Sequence, residues 1–341
     1  VPVLNWFGTD PRAIPHAAGY VYAMCFSMPA MLAFLVHRYT SEGIGWTRPV
    51  MYTALIGLSA NFAGNWLFTR GSFGMPSLGA TGCGIATALA YWSMLATMHL
   101  YQRRHAIYAR FALFERFERP DPASMREILA LGLPIAGSVV SEGGLFAVAA
   151  LLMSTLGTEI VAAHQIAISY ASLMFMIPLS LHSATTIHVG HQAGRGDAAA
   201  ARLAGWAGIA MCGIIMALSS LVILAARHGI AAAYTSDPEV RALAAFLLLF
   251  VAIFQIPDGL QVGAAGALRG FKDAKVPMAL NFAAYWMIGF PAAWWFGIHR
   301  GAGPAGIWTG LIAGLFTCAA LLIWRYERSS RRALAAQSSS R

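Results

Sequence analysis

Two carboxylates stand where an apolar sequence should have none. Glu142 is the only formally charged residue between Ile128 and Leu156, within the run IAGSVVSEGGLFAVAALLM. Asp258 is the only one between Arg241 and Arg269, in FQIPDGLQVGAAGALRG. At about 1.5 Å of rise per residue, a helix through the first run crosses a bilayer core and sets Glu142 near its middle. A charge there costs roughly 3 kcal/mol, so intramembrane acids mark ion or proton handling by default. Ser138, Ser141, Gly143 and Gly144 leave room beside Glu142 for water or a ligand close to the backbone. Pro257 precedes Asp258 and has no N–H to donate, which frees the carbonyl of Ile253. An acid, a kink and an unpaired carbonyl together suit a Na⁺ or H⁺ site. A plain hydrogen bond to a neighbouring helix is the alternative for each acid.

Other polar residues offer weaker chemistry. Asn61 and Asn65 are four apart and share one helix face, where they line a polar cavity or join helices. Gln165, in AAHQIAISYASLMFMIPLSL with Phe175 and Pro178, poses the same choice. His182, His188 and His191 include a pair spaced three apart that could hold a metal, although no carboxylate or cysteine nearby completes a ligand set. An intramembrane metalloenzyme is therefore a minor reading. No nucleophile elbow, zinc-protease helix or phosphate-binding loop occurs, so the energy source implied is an ion gradient rather than ATP. No cofactor beyond a coupling Na⁺ or H⁺ is expected.

The elements that position these residues are membrane helices. Hydrophobic residues make up 58% of the 341 positions and charged ones 11%, against about 25% charge in soluble domains; mean hydropathy is +0.61. Nine apolar runs are each long enough to span: 14–37, 48–70, 80–102, 125–156, 158–192, 198–227, 239–270, 276–299 and 304–326. Placing the connections alternately on two sides puts eighteen of the 23 Lys and Arg residues on one side. That asymmetry makes it the cytoplasmic side and explains the net charge of +9 without nucleic acid. The C-terminus then lies in the cytoplasm and the start of the chain outside. The opening VPVLNWFGTDPRAIP has neither a signal-peptide pattern nor a methionine, so a fragment lacking an odd number of N-terminal helices is expected. Cys25, Cys83, Cys212 and Cys318 sit in apolar runs and read as small core residues.

The stretch YQRRHAIYARFALFERFERPDPASMRE is the most polar in the interior and separates three runs from six. A faint repeat crosses it. One constant shift aligns Pro29 with Pro257, Pro49 with Pro277, Phe62 with Phe290, Trp66 with Trp294 and Phe68 with Phe296. Internal repeats mark transporter folds, whose substrate path runs between the repeats.

With these residues in view, the chain resembles the multidrug and toxic compound extrusion (MATE) transporters, and their bacterial NorM-like branch in particular. The resemblance is carried by GLPIAGSVVSEGGLFAV, AAHQIAISYASLMFMIPLSL, VGHQAGRGD, AAGALRGFKD, and NFAGNWLFTRG followed by GMPSLGATGCGIATAL. It implies an all-α polytopic membrane protein whose nine transmembrane helices correspond to helices 4–12 of a two-lobe, twelve-helix transporter. It further implies a Na⁺- or H⁺-coupled antiporter that exports amphipathic, mostly cationic compounds from the bacterial inner membrane. A lipid-linked oligosaccharide flippase of the same superfamily is the alternative, though it would call for a basic cavity. A monomer is the expected state.

Carried over by position, the family's cation site falls on Glu142 and Asp258, with Phe254 where relatives can have tyrosine. Gln165, Phe175 and Asp237 match positions near substrate, and Asn61 and Asn65 match polar residues of the N-terminal lobe's cavity. The organisation expected is a partial N-terminal lobe over 1–102, a cytoplasmic linker over 103–124, a six-helix C-terminal lobe over 125–326 and a cytoplasmic tail over 327–341. Both acids should point into the C-terminal lobe, within roughly 10 Å of each other, with Phe254, Phe175 and Gln165 lining the same space.

Overall fold

The computed structural model describes residues 14–71, 77–111, 113–114 and 121–339. The first thirteen residues, part of the expected linker and the last two residues lie outside these. Among the described residues the chain is helical throughout, in two units, Val1–Arg119 and Pro120–Arg341.

The first unit holds α1 (Ile14–Ile44), α2 (Arg48–Gly64, continued by the π-helical turn Asn65–Thr69), α3 (Gly79–Arg104) and the short α4 (Ala106–Ala109). Helix α3 packs against both α1 and α2. Its small residues permit this: a Cβ on Gly82 would lie 2.5 Å from the Phe68 carbonyl oxygen, so only glycine lets the backbones meet there. At the far end of α3, Gln102 donates to the His37 carbonyl (2.8 Å) and to Ser41 Oγ (3.0 Å). Ser41 in turn bonds Tyr108 (2.7 Å), tying α1, α3 and α4 together.

The second unit holds α5 (Pro122–Ser154), α6 (Thr158–Gly194), α7 (Ala198–Tyr234) and α8 (Pro238–Gly270). They are followed by α9 (Lys275–Phe282), a π stretch Ala283–Gly289, α10 (Phe290–Trp294), a second π stretch Trp295–His299, and α11 (Gly303–Ser339). Three starts carry an aspartate cap. Asp121 accepts from Ala123 and Ser124 N–H, Asp197 from Ala200, and Asp237 from Glu239 and Val240. Each satisfies backbone donors that have no intrahelical partner. Helix α8 is the centre, packed on α6, α7 and α11. A Cβ on Gly263 would meet Ile209 Cα at 2.9 Å, and one on Gly266 would meet the His182 carbonyl oxygen at 2.7 Å. These glycines set the close crossings with α7 and α6. Trp308, Leu311, Leu315, Cys318 and Leu322 of α11 repeat at helical spacing and are all buried.

Seven helical stretches are long and apolar enough to cross a membrane, by length and composition. The expected spans 48–70 and 80–102 are helical too, but Asn61, Asn65 and a run of Gly, Ala and Thr dilute their apolar character. Several helices also outrun their expected ends. Helix α1 reaches Ile44, α7 reaches Tyr234 and α11 reaches Ser339. A charged residue marks the edge of the hydrocarbon, not the end of hydrogen bonding, so helices continue past it.

The expected tail at 327–341 is thus largely an extension of α11. Glu327 receives two bonds from Arg202 (2.8 and 2.9 Å), one from Trp206 Nε1 (3.3 Å), and pairs with Arg331. Gln337 accepts from the Ala198 N–H at the start of α7 (3.0 Å). Likewise Arg325 donates to Asp273 (2.7 Å). The cysteine reading needs correction: Cys212 and Cys318 are buried, but Cys25 is exposed and Cys83 half-buried. An apolar run in a membrane has an outward face as apolar as its inward one.

Candidate functional site

Helix α5 buries one stripe, Ser141, Leu145, Ala149 and Met153, at four-residue spacing. Val140 on its other side is exposed. Glu142 stands beside the buried stripe and faces inward. Asp258 comes from the middle of α8 and is 4% exposed. The two acids line one cavity of about 550 Å³, shared with Ser138, Phe146, Phe175, Phe254, Gln261, Arg269 and Asn281.

A single side chain joins them. Gln261, one turn beyond Asp258, donates from Nε2 to Glu142 Oε1 (3.0 Å) and Asp258 Oδ1 (3.3 Å). The two carboxylates therefore lie no further apart than those bonds end to end, inside the expected separation. On its other side, Gln261 Oε1 accepts from the Tyr285 hydroxyl (3.0 Å) and from Cys318 Sγ (3.3 Å). The π stretch after α9 turns Tyr285 towards Gln261 while its neighbour Trp286 donates to Ser141 Oγ (3.0 Å). Widened turns of this kind often sit at functional sites. Phe254 packs edge-on to Phe146 (5.8 Å) and Trp308 (5.6 Å), walling the cavity with aromatic rings. Two like charges this close repel, so a cation or proton between them is favoured. The aromatic walls suit an organic cation.

The model of the MatE family matches residues 1–67 and 134–295. The chain belongs to the MatE family. A probable multidrug resistance protein NorM of Xanthomonas axonopodis pv. citri is 43% identical over 331 residues, which is 97% of this chain and 72% of that protein. The multidrug resistance protein PmpM of Pseudomonas aeruginosa is 40% identical over 335 residues, 97% of this chain and 70% of its own length. A MATE crystal structure in the bent conformation aligns with TM-score 0.88 at 16% identity, over 99% of this chain and 74% of that one, a likeness of fold. This MatE chain is a NorM-like, multi-pass membrane transporter and not an enzyme.

The remaining expected residues of this MatE chain separate into two further places. Gln165 does not line the acid cavity. It shares a second one, about 400 Å³, with Asp237, Tyr234 and Thr235. Gln165 and Phe175 lie on one helix ten residues apart, about 15 Å along the axis, so one side chain reaches the acids and the other does not. Asp237 also caps α8, a role its sequence position before Pro238 already suggests. Asn61 and Asn65 line neither cavity. Asn65 Nδ2 donates to the Asn61 carbonyl and to Asn61 Oδ1 (3.0 Å each), and Thr69 donates to Asn65 Oδ1 (3.3 Å), a ladder along their own helix. His182 is buried and bonds the Val262 carbonyl (2.8 Å) through Nδ1. Among the described residues, no three His, Cys, Asp or Glu side chains gather as a metal site.

Sequence reasoning passed over Gln261, Asn281 and Tyr285, and took Cys318 for filler. Gln261 had a signal, an amide three residues from an intramembrane acid. Tyr285 had none, because only packing turns it towards α8.

Proposed function

We propose that this protein is a cation-coupled antiporter that exports amphipathic, mostly cationic drugs in exchange for inward Na⁺ or H⁺. Multidrug efflux is supported by the NorM and PmpM relatives, which are named as multidrug resistance proteins. The observation that carries the coupling is the pairing of Glu142 and Asp258 in one aromatic-walled cavity. Neither acid has another formal charge in its own apolar run. A drug cation and an inorganic cation that compete for the same two carboxylates displace one another, and that competition links their movements. Phe175, Phe254 and Phe146 supply the faces against which a flat organic cation rests.

Gln165 and Asp237 form a second polar contact for substrate in the other cavity. In this reading the chain lies in the bacterial inner membrane as a monomer. Its C-terminus is cytoplasmic, in keeping with the basic excess on that side. The test is drug-stimulated flux in liposomes. Inward Na⁺ or H⁺ movement that requires drug and disappears in Glu142→Gln supports coupling. Drug movement independent of both ions rejects it.

A further inference from the structure

The position of Gln261 bears on how a cation could enter at all. Its Nε2 stands between Glu142 Oε1 and Asp258 Oδ1, which is the place a shared cation would take. An ionised carboxylate only accepts, so an amide bonding both acids must turn its N–H₂ towards them. That group repels a metal ion. Phe254 lines the same space and has no oxygen to offer. The side-chain oxygens lining this cavity are those of Glu142, Asp258, Asn281, Ser138 and Ser172, and one more that now points away from the acids, Gln261 Oε1.

We propose that Gln261 turns over on cation entry, so that Oε1 becomes a ligand of a monovalent metal ion held between Glu142 and Asp258. This rests on the reading of the two acids as the coupling site. The torsion concerned joins an sp³ to an sp² carbon, whose energy profile is broad, so the half-turn itself is soft. The surroundings accept both orientations. Before the turn, Tyr285 O–H and Cys318 S–H face Oε1. After it, the Tyr285 hydroxyl accepts from Nε2, since a hydroxyl both donates and accepts. Cys318 keeps a partner in Asn281 Oδ1, 3.1 Å away. Before the turn each of the buried residues Gln261, Tyr285, Asn281 and Cys318 has a side-chain hydrogen-bond partner. In the ion-free state the amide holds the two acids together; in the ion-bound state it coordinates what replaces it.

The test is equilibrium binding of radioactive sodium to the purified protein, compared with Gln261→Glu, Gln261→Met and Tyr285→Phe. Glutamate offers oxygens but no N–H, whereas methionine offers neither. The proposal expects Gln261→Met to weaken sodium binding by about tenfold or more, the cost of one lost polar partner in a buried site. Gln261→Glu keeps binding at alkaline pH. Tyr285→Phe, which preserves both acids and the amide, weakens binding because the turned N–H₂ loses its acceptor. Equal losses in Gln261→Glu and Gln261→Met would show that only the N–H₂ matters and would overturn the proposal. So would unchanged affinity in Gln261→Met or Tyr285→Phe, or no saturable sodium binding by the unaltered protein. Dye efflux that survives Glu142→Gln would bring down the reading of the acid pair itself, a separate outcome read in a separate assay.

Discussion

Glu142 on α5 and Asp258 on α8 are far apart in sequence, yet one amide nitrogen of Gln261 bonds both, at 3.0 and 3.3 Å. Neutralising either acid removes a charge while keeping its shape and hydrogen bonds. Glu142→Gln and Asp258→Asn are each expected to abolish efflux of ethidium-like dyes while inserting normally in the membrane. Full resistance conferred by either variant would make that acid structural.

The close crossings of α8 yield a stability prediction. A methyl at Gly266 would meet the backbone of His182, and one at Gly263 the backbone of Ile209. Backbone cannot step aside as a side-chain end can. Gly263→Ala and Gly266→Ala are expected to destabilise the second unit by about 1–3 kcal/mol, the usual cost of overpacking. Gly143→Ala meets nothing within 4 Å and serves as the control, expected to keep or slightly raise stability because alanine favours the helix. Thermal unfolding in detergent reads the difference.

Asp237 both caps α8 and lines the cavity with Gln165. The two roles come apart on substitution, because asparagine caps about as well as aspartate. Asp237→Ala is expected to cost about 1 kcal/mol of stability and Asp237→Asn almost none. If the charge serves substrate, both variants lose affinity for cationic drugs to a similar degree. Drug binding that tracks stability instead would confine Asp237 to the cap.

Glu327 ties the extension of α11 to α7 through Arg202 and Trp206. One guanidinium nitrogen of Arg202 reaches both carboxylate oxygens and the pair is half-buried, so these charge-assisted bonds are only partly screened by water. Glu327→Ala is expected to destabilise by about 2 kcal/mol and to expose the segment after Tyr326 to protease. Proteolysis unchanged from the unaltered protein would show that the extension holds without this clamp.

The sequence alone settles the membrane class, the long helices and the two misplaced acids, because each is a property of a short window. Hydropathy counts residues, and a carboxylate in an apolar run stands out wherever that run packs. The prolines that the constant shift aligns, Pro29 and Pro257, both lie inside helices, whereas the shift carries the π turn Asn65–Thr69 onto 293–297, out of step with the π turn at Trp295–His299.

Which way a side chain points was decided by tertiary structure. In water, an apolar stripe marks the face that meets the core. In lipid, the outward face is as apolar as the inward one, so that mark is erased. Val140 is 72% exposed and Leu145 is 2% exposed on the same helix, and nothing in their types separates them. Gln165 and Phe175 differ in another way: their spacing along one helix separates them by its rise, and packing supplies a different cavity at each level. Tyr285 and Cys318 join Gln261 because a π stretch turns one and the packing of α11 on α8 brings the other. Those contacts belong to helices distant in the chain, and only their packing in the folded protein sets them.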